Sequence, residues 1–145
     1  MSNRSQETLY HALFMAQHFS KCDLLDGLVY ILLELQMPQH RIGYFYVRTA
    51  IMLFYKDPVH MLTTGIYQVV GERLNPNADY GNMENAMREV IGKAYAECDP
   101  KTWSYYFRER RKGKKSPANL EFVSQVSAFM ELWQACCKEV SYEIL

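Results

Sequence analysis

The sequence predicts an all-α fold, a compact domain of six or seven helices that contains a helix-turn-helix. Three observations predict it. Apolar residues recur at spacings of three and four, and no strand-like alternation persists anywhere. Gly and Pro clusters break the chain at intervals that suit short helices. The 145 residues, 49% hydrophobic and 22% charged, have the size and balance of one globular domain with its own core. An aromatic content of 14% supplies large side chains for packing short helices against one another.

The elements follow in order. A first helix is expected over about residues 6–19, with Leu9, Leu13, Ala16 and Phe19 as a partial apolar stripe. Asp23 is a candidate N-cap for a second helix, whose Leu24, Leu25, Leu28, Val29, Leu32 and Leu33 mark its buried face. Pro38 suits the first turn of a third helix, which runs to about Lys56 through Ile42, Phe45, Tyr46, Thr49, Ala50, Leu53 and Phe54. Asp57-Pro58 ends it. Thr63 or Thr64 then caps a helix through Ile66, Val69, Val70 and Leu74, and Asn75-Pro76-Asn77 is a turn by composition. Asp79 caps the most regular helix of the chain, in which Met83, Ala86, Met87, Val90, Ile91, Ala94 and Tyr95 share one face. A short helix around residues 103–107 leads to a basic stretch. A last helix spans about residues 118–140 on Phe122, Val126, Phe129, Met130, Trp133 and Cys137.

Several function classes find no support. No apolar run approaches the roughly 20 residues needed to span a bilayer, and the polar start does not resemble a signal peptide, so a cytoplasmic protein without membrane contact is expected. Cys22, Cys98, Cys136 and Cys137 have no C-x-x-C spacing and read as small buried or half-buried thiols in a reducing compartment. His11, His18, His40 and His60 are scattered and read as ordinary, partly exposed histidines. Nucleophile, phosphate-loop and zinc motifs do not occur. No catalytic residue, metal or cofactor is therefore expected, and the chain does not read as an enzyme.

Charge is distributed unevenly although it sums to zero. Residues 101–117 carry seven basic side chains (Lys101, Arg108, Arg110, Arg111, Lys112, Lys114 and Lys115) against Glu109 alone. Residues 76–100 carry Arg88 and Lys93 against five acids. Clustered Lys and Arg provide the phosphate-neutralising attraction that DNA binding needs. Two helices joined by a short turn, followed by such a stretch, have the geometry of a DNA-binding helix-turn-helix, whose second helix enters the major groove.

The stretch from Pro38 through His40, Gly43, Tyr44, Tyr46, Val47, Arg48, Ala50 and Ile51 resembles a specific family pattern, P-x-H-x-x-G-Y-x-Y-[LV]-R-x-A-I. It opens the C-terminal effector domain of the sporulation initiation transcription factor, the stage-zero response regulator of spore-forming Firmicutes. Tyr55, the run Glu84-Asn85-Ala86-Met87-Arg88, and Pro117, Asn119, Glu121 and Phe122 continue the likeness in order over about residues 24–140. The resemblance implies an all-α, double-stranded-DNA-binding domain that regulates transcription, often as a tandem dimer under a phosphorylated receiver. No receiver pattern is present in the sequence: residues 1–23 read as a helical extension, and residues 24–145 as the effector-like domain.

Where the family's recognition helix begins S-R-V-E-R-A-I-R-H, this sequence has Gly81 to Glu89 and retains Glu84 and Arg88. Asn82 and Asn85 replace arginines, and Asn is the bidentate partner of adenine where Arg is that of guanine. Glu89 stands where the family has a histidine and would repel phosphate, and the preceding turn is about two residues longer. The expected base-reading residues are Asn82, Glu84, Asn85 and Arg88. The expected phosphate contacts are Thr63, Thr64, Lys112, Lys114 and Lys115. The alternative is a receiverless interaction module that pairs with itself or with a full-length regulator and does not bind DNA.

Overall fold

A computed structural model describes residues 3–107 and 116–144, with side chains from Gln6 to Phe107 and from Ser116 to Lys138. Its described residues form eight α-helices and one 3-10 turn, and no strand. The helices are α1 (Asn3–His18), α2 (Leu24–Glu34), α3 (Ile42–Lys56), α4 (Pro58–Thr64), α5 (Ile66–Leu74), α6 (Tyr80–Glu97), α7 (Pro100–Ser104) and α8 (Asn119–Ile144). The all-α reading holds, and the helix beyond the expected count is α4.

That helix exists because Asp57-Pro58 does two things. It ends α3, and Asp57 then accepts the His60 amide on Oδ1 at 3.1 Å while Pro58 occupies the first turn of α4. Thr63 and Thr64 accordingly close α4 and cap nothing. The Thr63 hydroxyl donates to the Val59 carbonyl at 2.8 Å, and Gly65, at φ +101°, makes the sharp turn into α5.

The second helix starts where expected, with Asp23 at its N-cap position but without a side-chain cap bond, and the start of the third moves. The Asp23 carboxylate instead accepts from the Ser20 amide at 2.9 Å, closing a capping box on the 3-10 turn Lys21–Asp23. Pro38 lies outside α3. The end of α2 is closed by Gln36 at φ +65°, with Gln36 N–H donating to Leu33 and Met37 N–H to Leu32, a Schellman arrangement after which proline is well placed.

The core centres on α8, whose Phe122, Val126, Phe129, Met130, Trp133 and Cys137 are all buried. α1 and α3 pack on α8, and α3 packs on α6. The buried faces of the first three helices are rotated from the expected ones. α1 buries His11, Ala12, Met15 and Ala16 while Leu9 is exposed. α2 buries Leu28, Ile31 and Leu32 while Leu25 and Leu33 face outward. In α3, Ile42 and Phe45 are exposed and Gly43, Tyr44, Tyr46, Val47, Ala50 and Ile51 are inside. Gly43 explains that rotation: a Cβ there would collide with the Ala86 main-chain carbonyl of α6, so the helices approach along their backbones.

Burying α1 also corrects the reading of one histidine. His11 is 9% exposed, and its Nε2 lies 2.8 Å from both the Glu34 carboxylate and the Tyr106 hydroxyl. Tyr106 donates its one proton to Glu34 at 2.6 Å, so the proton between His11 and Tyr106 must sit on His11 Nε2. Burial pushes the Glu34 carboxyl up, but the His11 and Tyr106 hydrogen bonds, the His11 charge and Tyr30 together hold it below the ordinary carboxylate value. Burial and the Glu34 charge push the Tyr106 phenol well up. Of the cysteines, Cys98, Cys136 and Cys137 are buried and Cys22 is exposed.

Candidate functional site

α5 and α6 are joined by residues 75–79, with the Ala78 amide bonded to the Asn75 carbonyl at 2.9 Å. Asp79 caps α6 as its sequence position predicts, accepting the Asn82 amide on Oδ1 at 3.1 Å. Met83, Met87, Val90, Ile91 and Ala94 turn inward, and Ala86 and Tyr95 are partly buried beside them. The opposite face presents Asn82, Asn85, Arg88 and Glu89 to solvent, with Glu84 half-buried at its edge. Three of the four expected base readers are thus fully on the surface, and all four lie within the first half of α6.

Two of those side chains hold a third. The Arg88 guanidinium donates from Nη2 to Glu84 Oε1 at 2.7 Å and from Nη1 to Asn85 Oδ1 at 3.0 Å. Glu89 has a cation beside it that its position in the sequence did not suggest: Arg41, ahead of α3, reaches it at 3.2 Å. The acid expected to repel phosphate thus has a guanidinium paired with it. Exposed pairs of this kind contribute only about 0.2–1 kcal/mol, so they orient side chains more than they stabilise the fold.

Thr63 and Thr64 lie in the last turn of α4, just ahead of α5. The Thr64 hydroxyl is 3.2 Å from His60 Nδ1, and Thr63 is bonded within its own helix. Lys112, Lys114 and Lys115 lie outside the described residues. The flanks of that stretch are well anchored, however. On one side Trp103 meets Tyr95 of α6 edge-on, and Phe107 stacks on Phe122 of α8 at 5.1 Å. On the other, Pro117 is buried and Asn119 donates to the Glu84 carbonyl of α6 at 3.0 Å. Both ends of the basic stretch are therefore tied to α6 or to the helix packed against it.

Sequence reasoning did not find Asn119, Arg41 or His11. Each makes its decisive contact with a residue far away in the chain, and only the match of Asn119 to a family pattern hinted at a role. Tyr44 and Tyr46, which match the family block most closely, are buried scaffold, and Arg48 lies over the Tyr44 and Phe45 rings at 5.5 and 5.1 Å.

No group of three or more His, Cys, Asp or Glu among the described residues could hold a metal ion, and no helix there is long and apolar enough to cross a membrane. No curated protein matches the chain. The family described as the sporulation initiation factor Spo0A C terminal, a family of DNA-binding domains that regulate transcription in sporulation and not a family of enzymes, matches residues 28–130. With most of α2, all of α3 to α7 and the first part of α8 inside that match, this chain belongs to the Spo0A C-terminal domain family.

Proposed function

We propose that the protein is a sequence-specific DNA-binding regulator with a base preference altered from that of its family. α6 enters the major groove of double-stranded DNA by its N-terminal half, where Asn82, Glu84, Asn85 and Arg88 face base edges. Lys112, Lys114 and Lys115 supply the phosphate contacts, with Thr63 and Thr64 at the α4–α5 junction as further candidates. The observation that carries this reading is the polar outer face of α6: its inner side is packed, while Asn82, Asn85 and Arg88 are exposed. Residues 24–145 act as the binding unit in this reading, and residues 1–23 are an addition whose helix α1 has joined the same core. Cooperation with a second copy or with a full-length regulator belongs to the same proposal.

One observation favours the alternative, an interaction module without DNA. Arg88, the single cation among the four base readers, is already engaged by Glu84 and Asn85, so DNA must displace or share it. Repeated selection of bound duplexes from a random pool decides between the two. Enrichment of sites with adenine where family sites have guanine supports the DNA reading, because each bidentate contact discriminates by about 1–3 kcal/mol. A pool that stays random through successive rounds rejects it.

A further inference from the structure

Asn119 is only 6% exposed although it carries a primary amide. Its Nδ2 spends both protons on the helix pair. One goes to the Tyr67 hydroxyl on α5 at 3.0 Å, and the other to the Glu84 main-chain carbonyl on α6 at 3.0 Å. Its Oδ1, equally buried, meets no donor among the described residues, so the amide is held here by what it donates. Interdigitated apolar side chains resist both separation and sliding of two helices. Two directional bonds from one planar amide add a specific register to that packing.

The location adds a second constraint. Asn119 is the first residue of α8 and follows the basic stretch after Pro117 and Ala118, and the Ala118 carbonyl accepts the Phe122 amide at 2.9 Å. The chain returning from the lysines is thereby fixed to the turn of α6 that carries Glu84 and Asn85. We infer that Asn119 is the positioning residue for base reading. It sets α6 against α5 and against the start of α8, so that the side chains on the outer face of α6 meet base edges in one register. Asn119 itself touches neither base nor phosphate, and the inference rests on the DNA-binding reading above.

The test uses the full chain, the duplex recovered by selection, and a scrambled duplex of the same composition. Asn119→Ala should lower the ratio of selected to scrambled affinity by roughly 3- to 10-fold, the worth of one or two hydrogen bonds. Affinity for the scrambled duplex, which depends on phosphate contacts, should change by less than about 2-fold. Tyr67→Phe removes only a hydroxyl and leaves the ring packed. It should lower the same ratio by a smaller factor, and it keeps the idea testable if the Asn119 variant does not fold. Equal losses on both duplexes, in step with a lowered thermal midpoint, would show a merely structural residue and overturn the inference. An unchanged ratio in both variants would overturn it as well, while leaving DNA reading intact. A parent protein that does not discriminate between the duplexes removes the DNA reading itself, and the role of Asn119 with it.

Discussion

Two polar clusters hold a nitrogen donor in contrasting ways. In the first, His11 of α1 is enclosed by Glu34 of α2, Tyr105 and Tyr106 just past α7, and Phe129 of α8, with ring centroids 4.3 Å away at Tyr105 and 5.7 Å away at Phe129. In the second, Arg88 of α6 is held, among the described residues, by Glu84 and Asn85 of its own helix, in solvent. The first arrangement is fixed by packing from four elements, and its parts cannot leave without opening the core. The second is fixed by short-range attraction that a phosphate or a base edge can replace. A buried cluster of the first kind supports structure, and a solvated one of the second kind is available for recognition.

The largest effect separates the two faces of α6 itself. Ile91→Ala should cost about 2–5 kcal/mol in chemical denaturation, because Ile91 is completely buried and its loss leaves a cavity. A cost under about 1 kcal/mol would mean that the packed face of α6 has been misassigned.

The buried cluster comes next and brings a pH dependence. The Glu34 carboxyl is held below its ordinary value in the folded protein. The stability it contributes is therefore present above the unfolded carboxylate pKa and is lost as pH falls through the lower folded value. Glu34→Gln should destabilise the protein at neutral pH by about 1.5–3 kcal/mol, as expected for hydrogen bonds to a charged group. The gap between parent and variant should shrink on acidification below the carboxylate range. Thermal melts at neutral and acid pH measure this directly, and a gap that widens in acid would contradict the assigned role.

The surface cluster should behave in the opposite way. Glu84→Gln should change stability by less than about 1 kcal/mol, yet at low salt raise affinity for a scrambled duplex by removing an acid from the outer edge of α6, while narrowing the preference for the selected site that Glu84 is proposed to read. A large loss of stability would blur the distinction between the two clusters.

How much of this was legible in the sequence follows from how far each contact reaches along the chain. α6 was legible because its cap, Asp79, and its inner stripe are local, and the structure matches both. α4 was not, since one Asp-Pro pair reads as a stop and serves as a start as well. The faces of α1 and α3 were misjudged by about one residue because partners distant in the chain decide them: α8 beneath α1, and the Ala86 carbonyl beneath Gly43. The candidate site divides in the same way. The exposed row from Asn82 to Arg88 follows from helical period alone. Asn119, however, acts across 35 residues to Glu84 and 52 to Tyr67, distances at which no pattern of spacing carries information.

The central claim is that the outer face of α6 reads bases, and one titration tests it most directly. The parent and the double variant Asn82→Arg with Asn85→Arg are each titrated against a family-type element, the parent's selected site and a scrambled duplex, at two salt concentrations. The two arginines restore the family's polar pattern, so the variant should gain at least about tenfold on the family-type element, the worth of one good bidentate contact. The parent should keep its preference for the adenine-containing site, and both affinities should fall steeply with salt. If neither protein binds either site more tightly than the scrambled duplex, the account of α6 as a reading helix is wrong.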